Sequence, residues 1–198
     1  MSDFSRTLED IVSGVYREKM SRFLAFARPV ESAGQARAVI KGYQNEYHDA
    51  RHVCWAYMLG SSRDEYLSSD NGEPSGTAGK PILGQINSYG LTNVVIVVVR
   101  YFGGIKLGTS GLIAACREAA RMAIEAATVV ERHEQACCTF TFGYMQMNDI
   151  MTLVKREALT VLDQQFDNTC SMTVQCDADR MPALRTRLQS LGASLNAQ

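Results

Sequence analysis

The stretch "NVVIVVVRYF", residues 93 to 102, holds six consecutive β-branched apolar residues before Arg100. β-Branched side chains favour extended backbone. Successive residues of a strand point to opposite faces, so here both faces are apolar and both must be covered. The run therefore reads as a central strand with packed layers on either side. A chain built around it must supply neighbouring strands and helices for both faces.

The flanking sequence offers them. "SRFLAFARPV" (21–30) reads as a strand ended by Pro29, and "HVCWAYML" (52–59) as a second, rich in aromatic and β-favouring residues. Between them, Ser32 and Gln35 fit a capping box, followed by Ala36, Val39, Ile40 and Tyr43 at helical spacing. Residues 60–80 read as a polar loop. A helix is predicted from Pro81, with Ile82, Leu83, Ile86 and Tyr89 as its apolar face and Gly90 at its end. "GGIKLGTSG" then turns the chain into a helix over 111–127. Its stripe of Ala115, Ala119, Ala123 and Ala126 suits close packing on a sheet.

The charged stretch "VVERHEQ" (129–135) reads as a domain boundary, dividing 1–132 from 136–198. Beyond it "CTFTFGY" alternates as a strand. Asn148 or Asp149 is placed to cap a helix carrying Ile150, Met151, Val154 and Ala158. "VLDQQF" and "CSMTVQC" read as strands, and Asp179 and Pro182 open a last helix with Leu184, Leu188 and Leu191, stopped by Gly192. The order is β-α-β-β-α. A ferredoxin-like domain adds one more strand, for which only "ASLNAQ" remains, so that strand is short or absent. The expected class is α+β.

Several function classes are disfavoured. No apolar run approaches the roughly 20 residues that span a bilayer. "MSDFSRTLED" is too polar and acidic for a signal peptide. Six cysteines include no Cys-x-x-Cys pair, and Cys137 adjoins Cys138, so they read as reduced thiols of a cytoplasmic protein. With only three histidines, no metal or other cofactor is expected. Net charge is −1, balanced on both sides of residue 134, which gives no clustered basic face in one dimension.

Long strings in the first domain carry a resemblance. "EKMSRF", "YHDARHVCWAY", "SDNGEPSGTAGKPIL" and "VVVRYFGGIKLGTSGL" resemble the YigZ/IMPACT family over roughly residues 15–130. The tail resembles the C-terminal domain of its bacterial members. The resemblance implies an N-terminal domain like the second domain of ribosomal protein S5. It implies a C-terminal domain like the fifth domain of elongation factor G, and a link to translation. Three departures stand out. Asn71 replaces the second acid of Asp-Asp-Gly-Glu-Pro, Ser110 replaces a glycine of Gly-Thr-Gly-Gly-Leu, and Ala114 replaces the arginine of Arg-Ala-Tyr. The first weakens any mechanism built on paired acids.

The candidate site residues lie in two glycine-rich loops and the strand between them. A nucleotide P-loop fails in both: "PSGTAGKP" has Pro74 and Pro81 at required positions, and "GGIKLGTS" has Thr109 in the lysine slot. Helix N-termini remain, with bare N–H groups and a positive dipole end. Gly108, Thr109, Ser110 and Gly111 should lead into one, and Gly76 to Gly79 into another. Lys80 beside a helix start needs an offsetting charge, from Asp70, Glu73 or a bound anion. Arg100, Lys80 and Lys106 are expected to form a basic patch, and the two loops to converge on one anion site. Tyr101 and Phe102 beside Arg100 could stack a base. Asp70 and Glu73 read as an acid pair, as metal ligands or as structural ion pairs. Three functions stay open: a non-enzymatic binding module around translation, contacting RNA, the ribosome or a translation-associated protein; a phosphate-handling enzyme; and a protein-interaction domain without nucleic acid.

Overall fold

The structure, a computed structural model, describes residues 4–167 and 169–196. The described residues divide into two compact units, Ser5–Arg132 and a second comprising Phe4 and those from His133 onward.

The first unit is built on a five-stranded antiparallel sheet. Its strands are β2 (Val12–Glu18), β3 (Ser21–Pro29), β4 (His52–Leu59), β5 (Glu65–Ser69) and β6 (Val94–Tyr101), in the order β2-β3-β6-β4-β5. β6 is central, with all of residues 94–100 buried. Its two parities serve two cores. Val94, Ile96 and Val98 pack under α2 (Gly79–Ser88) and α3 (Gly108–Glu125), whereas Val95, Val97 and Val99 pack against α1 (Ala33–Glu46). Each fully buried valine or isoleucine contributes about 1.5–3 kcal/mol, so the uninterrupted run is what holds the three layers together.

The alanine stripe does what its size allows. Ala115, Ala119, Ala120 and Ala123 are buried, and α3 comes so close to β2 that a Cβ on Gly14 would sit 2.8 Å from the Ala123 amide nitrogen. Ala126 falls at the C-cap and is exposed.

Several boundaries differ from the sequence expectation. The loop over 60–80 contains β5, an edge strand with Tyr66 and Leu67 exposed. α2 begins at Gly79, so Pro81 takes its third position, and α3 begins at Gly108 rather than 111. The charged stretch 129–135 contains a strand, β7 (Val129–His133), which pairs with β1 (Phe4–Leu8).

The second unit has the order β8 (Gln135–Phe142), α4 (Met147–Arg156), β9 (Thr160–Phe166), β10 (Cys170–Asp177), α5 (Met181–Ser190), β11 (Ser194–Leu195), with sheet order β11-β8-β10-β9. The fourth strand is present and two residues long; positions 197 and 198 of "ASLNAQ" lie outside the described residues. β10 alternates buried and half-buried, putting Cys170, Met172, Val174 and Cys176 on the core side. A short 3-10 turn, Tyr144–Gln146, leads into α4, so Gln146 rather than Asn148 or Asp149 is its N-cap, and Ala158 lies beyond its end at φ +50°.

Candidate functional site

Arg100 shares the parity of Val94, Ile96 and Val98, so it points toward the core under α2 and α3 where that core ends. It lies opposite Phe23 of β3 and His52 of β4, and only 8% of it is exposed. A buried guanidinium needs a partner. Glu73 provides it: Oε1 lies 2.5 Å from an Arg100 terminal nitrogen. The rings of Phe23 and Phe102 lie 5.6 Å from the guanidinium carbon. The Arg100 Nε is buried and has no hydrogen-bond acceptor. His52 joins the cluster. Its Nδ1 lies 3.0 Å from the Asn71 carbonyl, which can only accept, so Nδ1 carries the proton. Its Nε2 faces Glu73 Oε1 at 3.9 Å. Gly72, at φ +87°, supplies the tight turn; a Cβ there would press to 3.1 Å from the imidazole.

Asp70 is used differently. Its Oδ1 accepts from the backbone N–H groups of Ala78 (2.9 Å) and Gly79 (2.8 Å), and its Oδ2 from that of Gly76 (2.7 Å). It thereby caps α2 from nine residues upstream. Burial raises its pKa, but the three amide hydrogen bonds and the nearby Lys80 charge outweigh that, and the carboxyl titrates below the ordinary range. The charge that offsets Lys80 is thus Asp70.

The two loops meet at one cleft, which Gly72 to Pro74 line from the first and Lys106 to Thr109 from the second. The α2 start takes no part in it, because it is filled by the Asp70 carboxylate. One expectation is corrected: Lys80, Arg100 and Lys106 do not form one open basic face. Arg100 is buried and paired, whereas Lys80 lies beside Arg117 and Gln85 at a separate depression.

The α3 start is another matter. Its N-cap, Leu107, makes no side-chain cap, and no acidic residue occupies its first turn. It opens into a cleft of about 450 Å³. Arg51 and His52 form one wall, Gly72 to Pro74 another, and Lys106, Leu107, Gly108 and Thr109 the third, with Arg100 and Leu112 also lining it. Phe102 stands at this cleft 51% exposed. Arg51, Lys106 and Thr109 are exposed. Ser110 is exposed on the same helical turn, and Gly111 packs near the Leu107 Cβ (3.0 Å from an added Cβ); neither lines the cleft. Cys54 and Cys116 lie near Asp70, Glu73 and Arg100, but burial pushes both thiols up, Cys116 to about 12, so neither is a thiolate at neutral pH. Among the described residues no group of three or more His, Cys, Asp or Glu could hold a metal, and no helix is long and apolar enough to cross a membrane.

The family model described as the Impact N-terminal domain matches residues 19–124, the span that contains this cleft and the capped loop beside it. The chain belongs to the IMPACT family. It is 36% identical over 179 residues to IMPACT family member YigZ of Escherichia coli, covering 89% of this chain and 88% of that one. An IMPACT family member of Haemophilus influenzae is 35% identical over 150 residues, covering 75% and 73% of the two chains. A crystal structure of a hypothetical protein matches with a TM-score of 0.73 at 28% identity, covering 100% of this chain and 98% of that chain.

Within this IMPACT domain, motif reasoning did not single out Arg51, although it lies inside the string "YHDARHVCWAY". It reaches the cleft because β4 begins at His52, opposite Arg100. The signal that could have found it is the pairing of the His52 strand with the central strand, which places the residue before His52 at the same sheet end as Arg100.

Proposed function

We propose that the N-terminal unit is a non-enzymatic binding module that takes RNA at this cleft and acts around translation. The observation that carries this reading is the open start of α3, facing the same cleft as the exposed cations Arg51 and Lys106 and the half-exposed Phe102. Bare amides and cations fit phosphate, and an aromatic fits a base. The link to translation comes from the sequence resemblance set out above. A phosphate-transfer reading has less support, because Asp70 and Glu73 are both committed inside the fold, one to backbone amides and one to Arg100.

Strand and helix order favour an S5 domain 2-like assignment for the first unit and a ferredoxin-like one for the second, whose β-α-β-β-α-β order matches that motif. We place the two as domains over 1–132 and 136–198, in the cytoplasm.

The test is direct titration of a fluorescent single-stranded RNA and of ribosomal subunits against the whole chain at falling salt. Weak binding that strengthens as salt falls is expected. No binding of either at the lowest salt would remove this reading and favour a protein partner.

A further inference from the structure

We infer that the cleft holds one unpaired nucleotide, with its phosphate at the start of α3 and its base against Phe102. This rests on the RNA reading above and narrows it to a ligand class.

Size is the first reason. At about 450 Å³ the cleft falls in the range of small-ligand pockets, roughly 300–1,000 Å³. The phosphate end is the second. Gly108 has φ +72°, and a Cβ built on it would meet nothing within 4 Å. The side of Gly108 on which a side chain would stand is therefore open, and Gly108 and Thr109 line the cleft with no acidic side chain in that turn. Lys106 and Arg51 supply charge from two sides. Arg100 lies at the same cleft, 92% buried, with its Nε lacking an acceptor. Glu73, the acid at the cleft, is paired to Arg100, so the cations Arg51 and Lys106 remain for a ligand.

The base end is the third. Phe102 keeps 51% of its surface exposed, although burying it would be favourable. The Arg100 guanidinium lies 5.6 Å from its ring centre, a cation–π contact that holds one side of the ring. The exposed remainder is a platform for a planar group. A base in a duplex is already stacked and cannot lie on it, so the ligand is a single strand or a free nucleotide.

Backbone-amide NMR of the whole chain separates the two ends. The probes are cytidine 5′-monophosphate, inorganic phosphate and cytidine. The monophosphate should shift the amides of Phe102, Gly108 and Thr109 together; phosphate alone should shift only those of Gly108 and Thr109. Phe102→Ala should weaken the monophosphate by between about 5- and 150-fold and leave phosphate unchanged. Phe102→Leu, which keeps apolar bulk beside Arg100, should weaken it similarly if the ring is what matters. Thr109→Asp should weaken both anions by about 2- to 5-fold. Monophosphate binding with no RNA binding would keep the nucleotide site and remove the RNA reading. RNA binding unchanged in Phe102→Ala and Phe102→Leu would overturn the inference while leaving RNA binding at the cleft intact; shifts away from α3 would overturn both.

Discussion

Glu73 and Arg100, 27 residues apart in sequence, meet at 2.5 Å with 2% and 9% of their side chains exposed. This pair ties the loop before α2 to the end of the central strand. Losing one partner leaves an uncompensated buried charge, at a cost of about 3–5 kcal/mol. Glu73→Ala should therefore unfold at much lower denaturant. Replacing both, as Glu73→Leu with Arg100→Met, should cost less than Glu73→Ala alone. Chemical denaturation of single and double variants checks this, and additive losses would show that the pair is not coupled.

Asp70→Ala should cost about 2 kcal/mol at neutral pH, since it removes acceptors for three amides at the start of α2. The pH dependence has a definite sign. A carboxyl whose folded pKa lies below its unfolded value of about 3.9 stabilises fully above that value. The stability is lost as pH falls through the lower, folded value. The gap between wild type and Asp70→Ala should hold from pH 7 to about 5 and shrink below about 4. Thermal unfolding over that range measures it; a constant gap down to pH 2 would contradict the capping role.

Adjacent glycines separate steric from conformational demands. A Cβ on Gly103 would lie 2.0 Å from the Met20 carbonyl carbon, whereas one on Gly104, at φ +89°, would meet nothing within 4 Å. Gly103 N–H also donates to Ser21 Oγ at 3.1 Å. Gly103→Ala must push the β2–β3 turn away, at about 3 kcal/mol or more. Gly104→Ala faces only the left-handed backbone, at about 1 kcal/mol. Urea midpoints that fall equally for both would show that the two loops are free to separate.

Much of the fold could be read from the chain because its main strands are dense in β-branched and aromatic residues. β6 declared both its buried faces, and β10 declared its alternation. The α1 cap was legible too: Ser32 Oγ accepts from the Gln35 N–H at 3.2 Å, although the Gln35 side chain reaches back to the Glu31 N–H, one residue earlier than a capping box requires. β5 was not legible, because an exposed edge strand carries no burial pattern: Tyr66 and Leu67 are more than half exposed. β7 was hidden by its charges. At the site, Gly108 and Thr109 could be singled out from the glycine-rich loop, but their relation to Arg51 depends on strand register. The Asp70 cap spans nine residues, beyond any local capping signature, so the difference between a filled α2 start and an open α3 start was not visible.

Limited proteolysis bears on the proposed domains. Because 129–133 is paired with β1, that stretch should resist cleavage better than a linker would. Cuts concentrated within 129–133, giving two stable fragments, would mean that β7 opens readily.

The salt dependence of single-stranded RNA affinity tests the cleft most directly, measured for wild type, Arg51→Ala and Lys106→Ala. Each phosphate neutralised in a single strand adds about 0.7 to the slope of log affinity against log salt. With one phosphate of the strand at the cleft, flanked by both exposed cations, the wild-type slope should be about 0.7, and each substitution should lower it. A wild-type slope that neither substitution changes would place RNA elsewhere on the chain and contradict the cleft as its site.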